Sequence, residues 1–269
     1  MSARARIVAL MSEFQIEPKK SLGQNFLISD HVINKILERV KKLEADSIIE
    51  VGPGLGALTM GLRELQKPTL LIELDSKFAQ YWRTQGMEVI EVDALQWDWS
   101  QLSLPRKRAF VSNLPYQISS SIVIDRTLDD QVDAMVLMFQ KEVAQRLKAH
   151  TSAENYGMLS VYIQTFWHLE TLLEASSGDF LPPPKVASRV LVFSKIASSV
   201  ENRAQYLKFI KASFIQPRKL LVSNLIQGTG LSREKIMNGF EQLGLKDKIR
   251  AQEISVKQFI ALYHALGYK

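Results

Sequence analysis

The sequence predicts an α/β protein with a mostly parallel sheet covered by helices on both faces, followed by a small all-helical domain. Three observations carry this expectation. Strand-like and helix-like segments alternate from Asp30 to Lys148, a pattern that builds right-handed crossover units. A glycine-rich turn, Gly52-Pro53-Gly54-Leu55-Gly56, joins the first of those strands to a helix. Beyond about Ser198 the texture changes, and every remaining apolar pattern has a helical period.

Ser29-Asp30 precede Val32, Ile33, Ile36, Leu37 and Val40, which reads as a capped amphipathic helix. Strand-like runs follow at 47–51, 69–74, 88–92, 109–114 and 134–139, with helical patterns near 57–65, 76–83, 119–128 and 141–148. Two further apolar segments, 159–167 and 189–194, flank the proline-rich loop 181–184 and are expected to finish the sheet antiparallel. The tail reads as helices at 206–214, 220–226, 232–243 and 255–266, with Ser255 as an N-cap and Gly228, Gly230, Gly244 and Gly267 at helix ends. The expected domains are an N-terminal extension over 1–18, a main domain over 19–198 and a helical domain over 199–269.

Composition narrows the class. Of 269 residues 46% are apolar and 23% charged, the balance of a folded soluble protein. The net charge is +6, and the excess collects in Arg4/Arg6, Lys19/Lys20, Arg106/Lys107/Arg108, Arg218/Lys219 and Lys246/Lys248/Arg250. Such clusters suit a polyanion, although solvated surface charge explains any single one as well. There is no cysteine, so disulfides and thiol nucleophiles are excluded, and the four histidines are scattered without metal-ligand spacing. No metal is expected. The apolar stretch at 7–11 is too short for a signal-peptide core, and no run approaches the ~20 apolar residues of a membrane span. A cytoplasmic location with no membrane partner is expected.

The chemistry gathers at successive strand ends. Glycines let the backbone at Gly52 and Gly54 turn sharply and approach a ligand, while the following helix presents unpaired N–H groups. With Ala57 in the last place the segment also satisfies the dinucleotide fingerprint, so an NAD-dependent oxidoreductase is a live reading. The second strand ends in Glu73, where a carboxylate can accept both hydroxyls of a ribose; both readings use that acid. The third ends at Val92-Asp93, which can accept from an adenine amino group or simply form a turn.

The fourth strand ends in Ser112-Asn113-Leu114-Pro115-Tyr116. An exocyclic amine on a base is a poor nucleophile because its lone pair is delocalised into the ring. Two neutral acceptors, the Asn113 side-chain oxygen and the Leu114 carbonyl, can hold both amine hydrogens and turn that lone pair toward an electrophile. Pro115 stiffens the turn, and Tyr116 offers a flipped base a face to stack on.

On these residues the chain resembles the S-adenosylmethionine-dependent rRNA adenine N6,N6-dimethyltransferases, most closely those that modify two adjacent adenosines near the 3′ end of 16S rRNA. The shared motifs run in order: Lys20-Ser21-Leu22-Gly23-Gln24-Asn25-Phe26-Leu27, the glycine segment at 50–59, the strand ends at 72–75, 92–95 and 113–116, the loop Phe180-Leu181-Pro182-Pro183-Pro184-Lys185-Val186, and Pro217-Arg218-Lys219-Leu220-Leu221. The resemblance implies a Rossmann-like class I methyltransferase fold with a seven-stranded sheet and S-adenosyl-L-methionine as cofactor. It implies that Asn25 and Leu27 touch the cofactor, that Gly52 lines its methionine end, and that Glu73, Asp93 and Asn113 hold the ribose, the adenine and the reacting amine. It further implies that Phe180 faces Tyr116 across the target base, and that Lys185, Arg218 and Lys219 contact RNA. The implied partner is small-subunit rRNA within an assembly intermediate, met by a monomer. Departures occur at Pro217 and Val222, where the family commonly carries basic residues, at Leu220, where Thr is frequent, and in the extension through Ile16, which carries none of the motifs of the resemblance. A large-subunit rRNA methyltransferase of antibiotic resistance and an RNA-binding assembly factor are the remaining alternatives.

Overall fold

The computed structural model describes residues 1–18 and 24–268, so Lys19 and the stretch from Lys20 to Gly23 lie outside the described residues. Helix α1 (Ala3–Glu13) and the short strand β1 (Phe26–Leu27) precede α2 (Asp30–Lys41). The alternating part comprises β2 (Ser47–Val51), α3 (Thr59–Arg63), β3 (Thr69–Glu73), α4 (Ser76–Thr84), β4 (Glu88–Glu91), β5 (Arg108–Asn113), α5 (Ser119–Leu128), β6 (Val132–Gln140) and α6 (Lys141–Lys148). Next come α7 (Met158–Gln164), β7 (Trp167–Ala175), β8 (Phe180–Leu181) and β9 (Ser188–Lys195), and the tail holds α8 (Arg203–Ser213), α9 (Leu221–Thr229), α10 (Arg233–Gln242) and α11 (Val256–Ala265).

Seven strands form one sheet in the order β4-β3-β2-β5-β6-β9-β7, while β1 and β8 make a separate antiparallel pair. Strands β2 to β6 pair in parallel and β9 runs antiparallel to β6. Every residue of β2 and β3 is buried, as continuous apolar runs such as Ile48-Ile49 and Leu70-Leu71-Ile72 require when helices cover both faces. The chain winds outward from β2 through β3 to β4 and then crosses to β5 on the other side. That reversal opens a crevice beyond the carboxyl ends of the central strands, where ligands of such sheets bind.

Most expected elements lie close to the observed ones, and two differ. The segment 159–167, expected as a strand, is mainly α7: Leu159 to Ile163 are all buried, and periodicity alone does not separate a buried helix from a buried strand. The last strand is instead β7, in which Trp167 and Leu169 are buried while His168 and Glu170 are exposed. Gly228 is the last residue but one of α9, and a Cβ there would come within 2.5 Å of the Ala212 Cβ on α8. Ser255 is the N-cap of α11, its hydroxyl accepting from the Gln258 amide at 3.3 Å.

The described chain divides into two compact units, one of residues 1–144 and 169–194, the other of 145–168 and 195–269. The division is thus not a single cut near 198: α7 belongs with the C-terminal helices. In that unit the Tyr156 hydroxyl donates to the Ile254 carbonyl at 2.8 Å, and Thr165 donates to Tyr206 at 3.1 Å. Among the described residues no helix is long and apolar enough to cross a membrane.

Candidate active site

The carboxyl ends of β2, β3 and β5, with the turn after β4, open into one cleft. Its walls include Gly52, Gly54, Glu73, Asp93, Asn113, Leu114 and Tyr116, together with Asn25 and Leu27 beside β1. Four strand ends that are far apart in sequence meet here because parallel strands point the same way.

The glycine turn is held by its neighbours. Gly52, Gly54 and Gly56 have φ of +67°, +51° and +75°, the left-handed region that other residues rarely adopt. The Gly54 amide donates to Glu73 Oε2 at 3.1 Å, and its carbonyl accepts from Trp82 Nε1 at 2.9 Å. A Cβ at Gly56 would lie 2.2 Å from the Trp82 ring, and one at Gly52 would touch Pro115 at 3.4 Å. The turn and the Asn113-to-Tyr116 segment are therefore in close register.

Glu73 is buried, and its Oε1 accepts from the Asp75 amide at 2.9 Å. Burial raises its carboxyl above the usual range, while the amides of Asp75, Gly54 and Leu74 oppose that shift. Each carboxylate oxygen has two acceptor positions, so capacity remains for ribose hydroxyls. Asp93 takes the Leu95 amide on Oδ1 at 2.9 Å and lines the cleft as well, so it is both a turn former and an available acceptor.

Asn113 is half-buried at the end of β5, and its Nδ2 donates to the Asn25 carbonyl at 3.3 Å. That bond commits the NH₂ side of the amide and leaves Oδ1 as its acceptor. The Tyr116 hydroxyl pairs with Ser188 at 2.6 Å, and burial pushes the phenol up.

Not every expected residue joins the cleft. Phe180 is 2% exposed, lies opposite Leu27 in the β1–β8 pair, packs in the core and does not line the cleft. Lys185 is exposed in the loop before β9, and Arg218 and Lys219 are exposed in the other unit, on the turn before α9. Arg108 is buried and donates to the Leu104 carbonyl at 2.8 Å, so only Arg106 and Lys107 of that basic cluster face solvent. Val222 is fully buried inside the helical unit.

Two contributors were not singled out from the sequence. Glu50 is 2% exposed and lines the cleft, and its Oε2 has no hydrogen-bond partner. Burial, reinforced by the Glu73 charge, raises its carboxyl to about 8. The signal was an acid among apolar residues in a buried strand. Asn224 is also fully buried: its Nδ2 donates to the Ser213 and Gln216 carbonyls at 3.0 and 3.1 Å, and its Oδ1 accepts the Gln216 amide at 3.2 Å. These bonds pin the turn that carries Arg218 and Lys219.

The donor set fits an adenosyl ligand with a cationic amino-acid end. Glu73 and Asp93 offer acceptors for ribose and base, and the unpartnered Glu50 oxygen suits an ammonium. At Gly52 a Cβ would sit in van der Waals contact with the Pro115 ring, and it is the positive φ that restricts this position to glycine.

Comparisons with known proteins agree. A family model described as ribosomal RNA adenine dimethylase matches residues 16–267. A relative from Bdellovibrio bacteriovorus, named ribosomal RNA small subunit methyltransferase A, is 52% identical over 271 residues and covers 99% of each chain. That span takes in the N-terminal extension. A protein of the same name from Phytoplasma australiense is 36% identical, covering 91% of this chain and 90% of its own. Among solved structures, a dimethyladenosine transferase from Plasmodium falciparum superposes with a TM-score of 0.75 at 22% identity, covering 90% of this chain and 98% of that one. The oxidoreductase reading of the glycine turn therefore falls away. With a match across nearly its whole length, the chain belongs to the ribosomal RNA adenine dimethylase family.

Proposed function

We propose that the protein dimethylates N6 of two adjacent adenosines near the 3′ end of small-subunit rRNA, acting as a monomer on an assembly intermediate. The observation that carries the chemistry is Asn113, its NH₂ committed to the Asn25 carbonyl while Asn113 and Leu114 both stand on the wall of the cleft. The small-subunit substrate rests on the names of the relatives.

S-adenosylmethionine, when bound, supplies an electrophilic methyl group on a sulfonium. Glu73 and Asp93 would hold its ribose and adenine, and Glu50 its ammonium. The Asn113 oxygen and the Leu114 carbonyl accept the two hydrogens of the target amine and direct its lone pair. Neither oxygen is basic enough to keep a proton, so their contribution is orientation. Pro115 has no N–H to compete for the amine and stiffens the turn. The Tyr116 ring, anchored through Ser188, offers the extruded base a stacking face and stabilises positive charge as it develops on the amine. Phe180 could stack on the opposite face only after leaving the core, so the stacking role rests first on Tyr116.

The test incubates the protein and labelled S-adenosylmethionine with unmethylated small subunits, naked 16S rRNA and 23S rRNA, then maps the label by mass spectrometry. Two adjacent dimethyladenosines in the small-subunit RNA are expected. Label confined to 23S rRNA would overturn the reading.

A further inference from the structure

Helix α1 lies ahead of the stretch that the family model matches, yet it reaches the cofactor cleft. Its start is tied down twice: Ser2 caps it by accepting from the Ala5 amide at 3.2 Å, and the Ala3 amide donates to Asp30 Oδ1 at 2.8 Å. One turn on, Arg6 Nη2 donates to the Gly56 carbonyl at 2.8 Å. Ile7 is fully buried, packs in a cluster with Phe26 and Phe78, and lines the same cleft as the glycine turn.

We infer that α1 is part of the cofactor site, with Arg6 as a positioning residue for the glycine turn and Ile7 as part of the pocket wall. A turn with three glycines at positive φ loses much conformational entropy on ordering, so it has to be held from outside itself. Glu73 holds the Gly54 amide, Trp82 holds the Gly54 carbonyl, and Arg6 holds the Gly56 carbonyl. The Met60 amide also points at that carbonyl but at 3.5 Å, too long to replace Arg6. Burial lowers the Arg6 pKa, and Tyr81 and Asp30 oppose that shift. A half-buried guanidinium on a carbonyl is a charge-assisted, directional tether. Because the inference builds on the cofactor reading of the cleft, binding by the wild-type protein is the first arm of its test.

The full chain is compared as wild type, Arg6→Met, Arg6→Lys, Ile7→Ala and Val8→Ala, the last a control on the exposed side of α1. Calorimetry with S-adenosylhomocysteine gives Kd, and hydrogen exchange of residues 52–58 in ligand-free protein reports the turn. Arg6→Met should raise Kd about tenfold, as loss of one charge-assisted hydrogen bond does. It should also speed exchange across the turn and raise the cofactor KM, with kcat retained at saturation. Arg6→Lys should recover part of the affinity, Ile7→Ala should weaken binding without speeding exchange as much, and Val8→Ala should match wild type. Unchanged Kd and exchange in Arg6→Met overturn the inference. If the wild-type protein fails to bind S-adenosylhomocysteine, the cofactor reading itself falls, and this inference with it.

Discussion

Glu73 and Gly54 are hydrogen-bonded to each other, the backbone amide of Gly54 donating to Glu73 Oε2 at 3.1 Å. The carboxylate assigned to the ribose is thus also a structural brace, with its second oxygen on the Asp75 amide. Glu73→Gln keeps one acceptor oxygen and should lower stability by ~1 kcal/mol, as loss of one such bond does. Glu73→Ala removes the acceptor of the Gly54, Leu74 and Asp75 amides and should lower it by ~3 kcal/mol. Urea unfolding of the ligand-free proteins measures both, and equal stability of the two variants would refute the bracing role.

Asn113→Ala should retain the fold, because the residue is half-buried and its side chain donates a long hydrogen bond, 3.3 Å, to the Asn25 carbonyl. Turnover should fall by about 10²–10³-fold, the effect of removing one preorganised polar group from a reacting centre. Cofactor affinity should change little. Single-turnover methylation of small subunits, alongside a binding titration, separates the two effects.

Glu50 makes ligand-free stability depend on pH. Folding raises its carboxyl from 4.5 to about 8, so between those values the folded protein holds a proton that the unfolded chain has released. Raising the pH through that window therefore favours unfolding, and the loss is complete above about 8. Glu50→Gln has no such proton to lose. Its melting temperature relative to wild type should climb from pH 5 to pH 9, while its affinity for S-adenosylhomocysteine falls. A difference in melting temperature that stays constant with pH would exclude an elevated Glu50.

The exposed cations Lys185, Arg218 and Lys219 are expected to meet phosphates. Each change to alanine should weaken RNA binding and reduce the slope of log K against log salt by up to ~0.7, the value for a single-stranded phosphate contact. Filter binding of small-subunit rRNA across a salt series checks this. An unchanged slope removes that residue from the interface. Asn224→Ala, which frees the turn bearing Arg218 and Lys219, should weaken binding without changing the charge.

The convergence at the cleft was legible because each participant stands at the end of an apolar run. Where a parallel sheet is expected, the ends of runs fall on one edge, which is why the sequence alone brings Gly52, Glu73, Asp93 and Asn113 together. What was not legible depends on burial from another part of the chain. Arg108 reads as one of three basic neighbours, and only packing shows its guanidinium turned inward onto a carbonyl. Residues 159–163 are buried throughout, so no periodicity marks them as helix. Glu50 and Arg6 act through residues distant from them in sequence or through the environment alone, and a motif scan does not register such relations.

The pairing of β1 with β8 sets Leu27 opposite Phe180 and Phe26 opposite Leu181. Asn25 and Leu27 stand on the wall of the cleft, and the strand that fixes them is made more than half the chain later. Synthesis runs from the N-terminus, so the early part of the sheet can form while this wall is still loose. Contacts between residues so far apart in sequence close late. The nascent protein should therefore gain its affinity for the cofactor in a single late step, once residue 181 has left the ribosome exit tunnel. Stalled chains ending before and after that point, probed by limited proteolysis around residues 24–28, should differ sharply in protection.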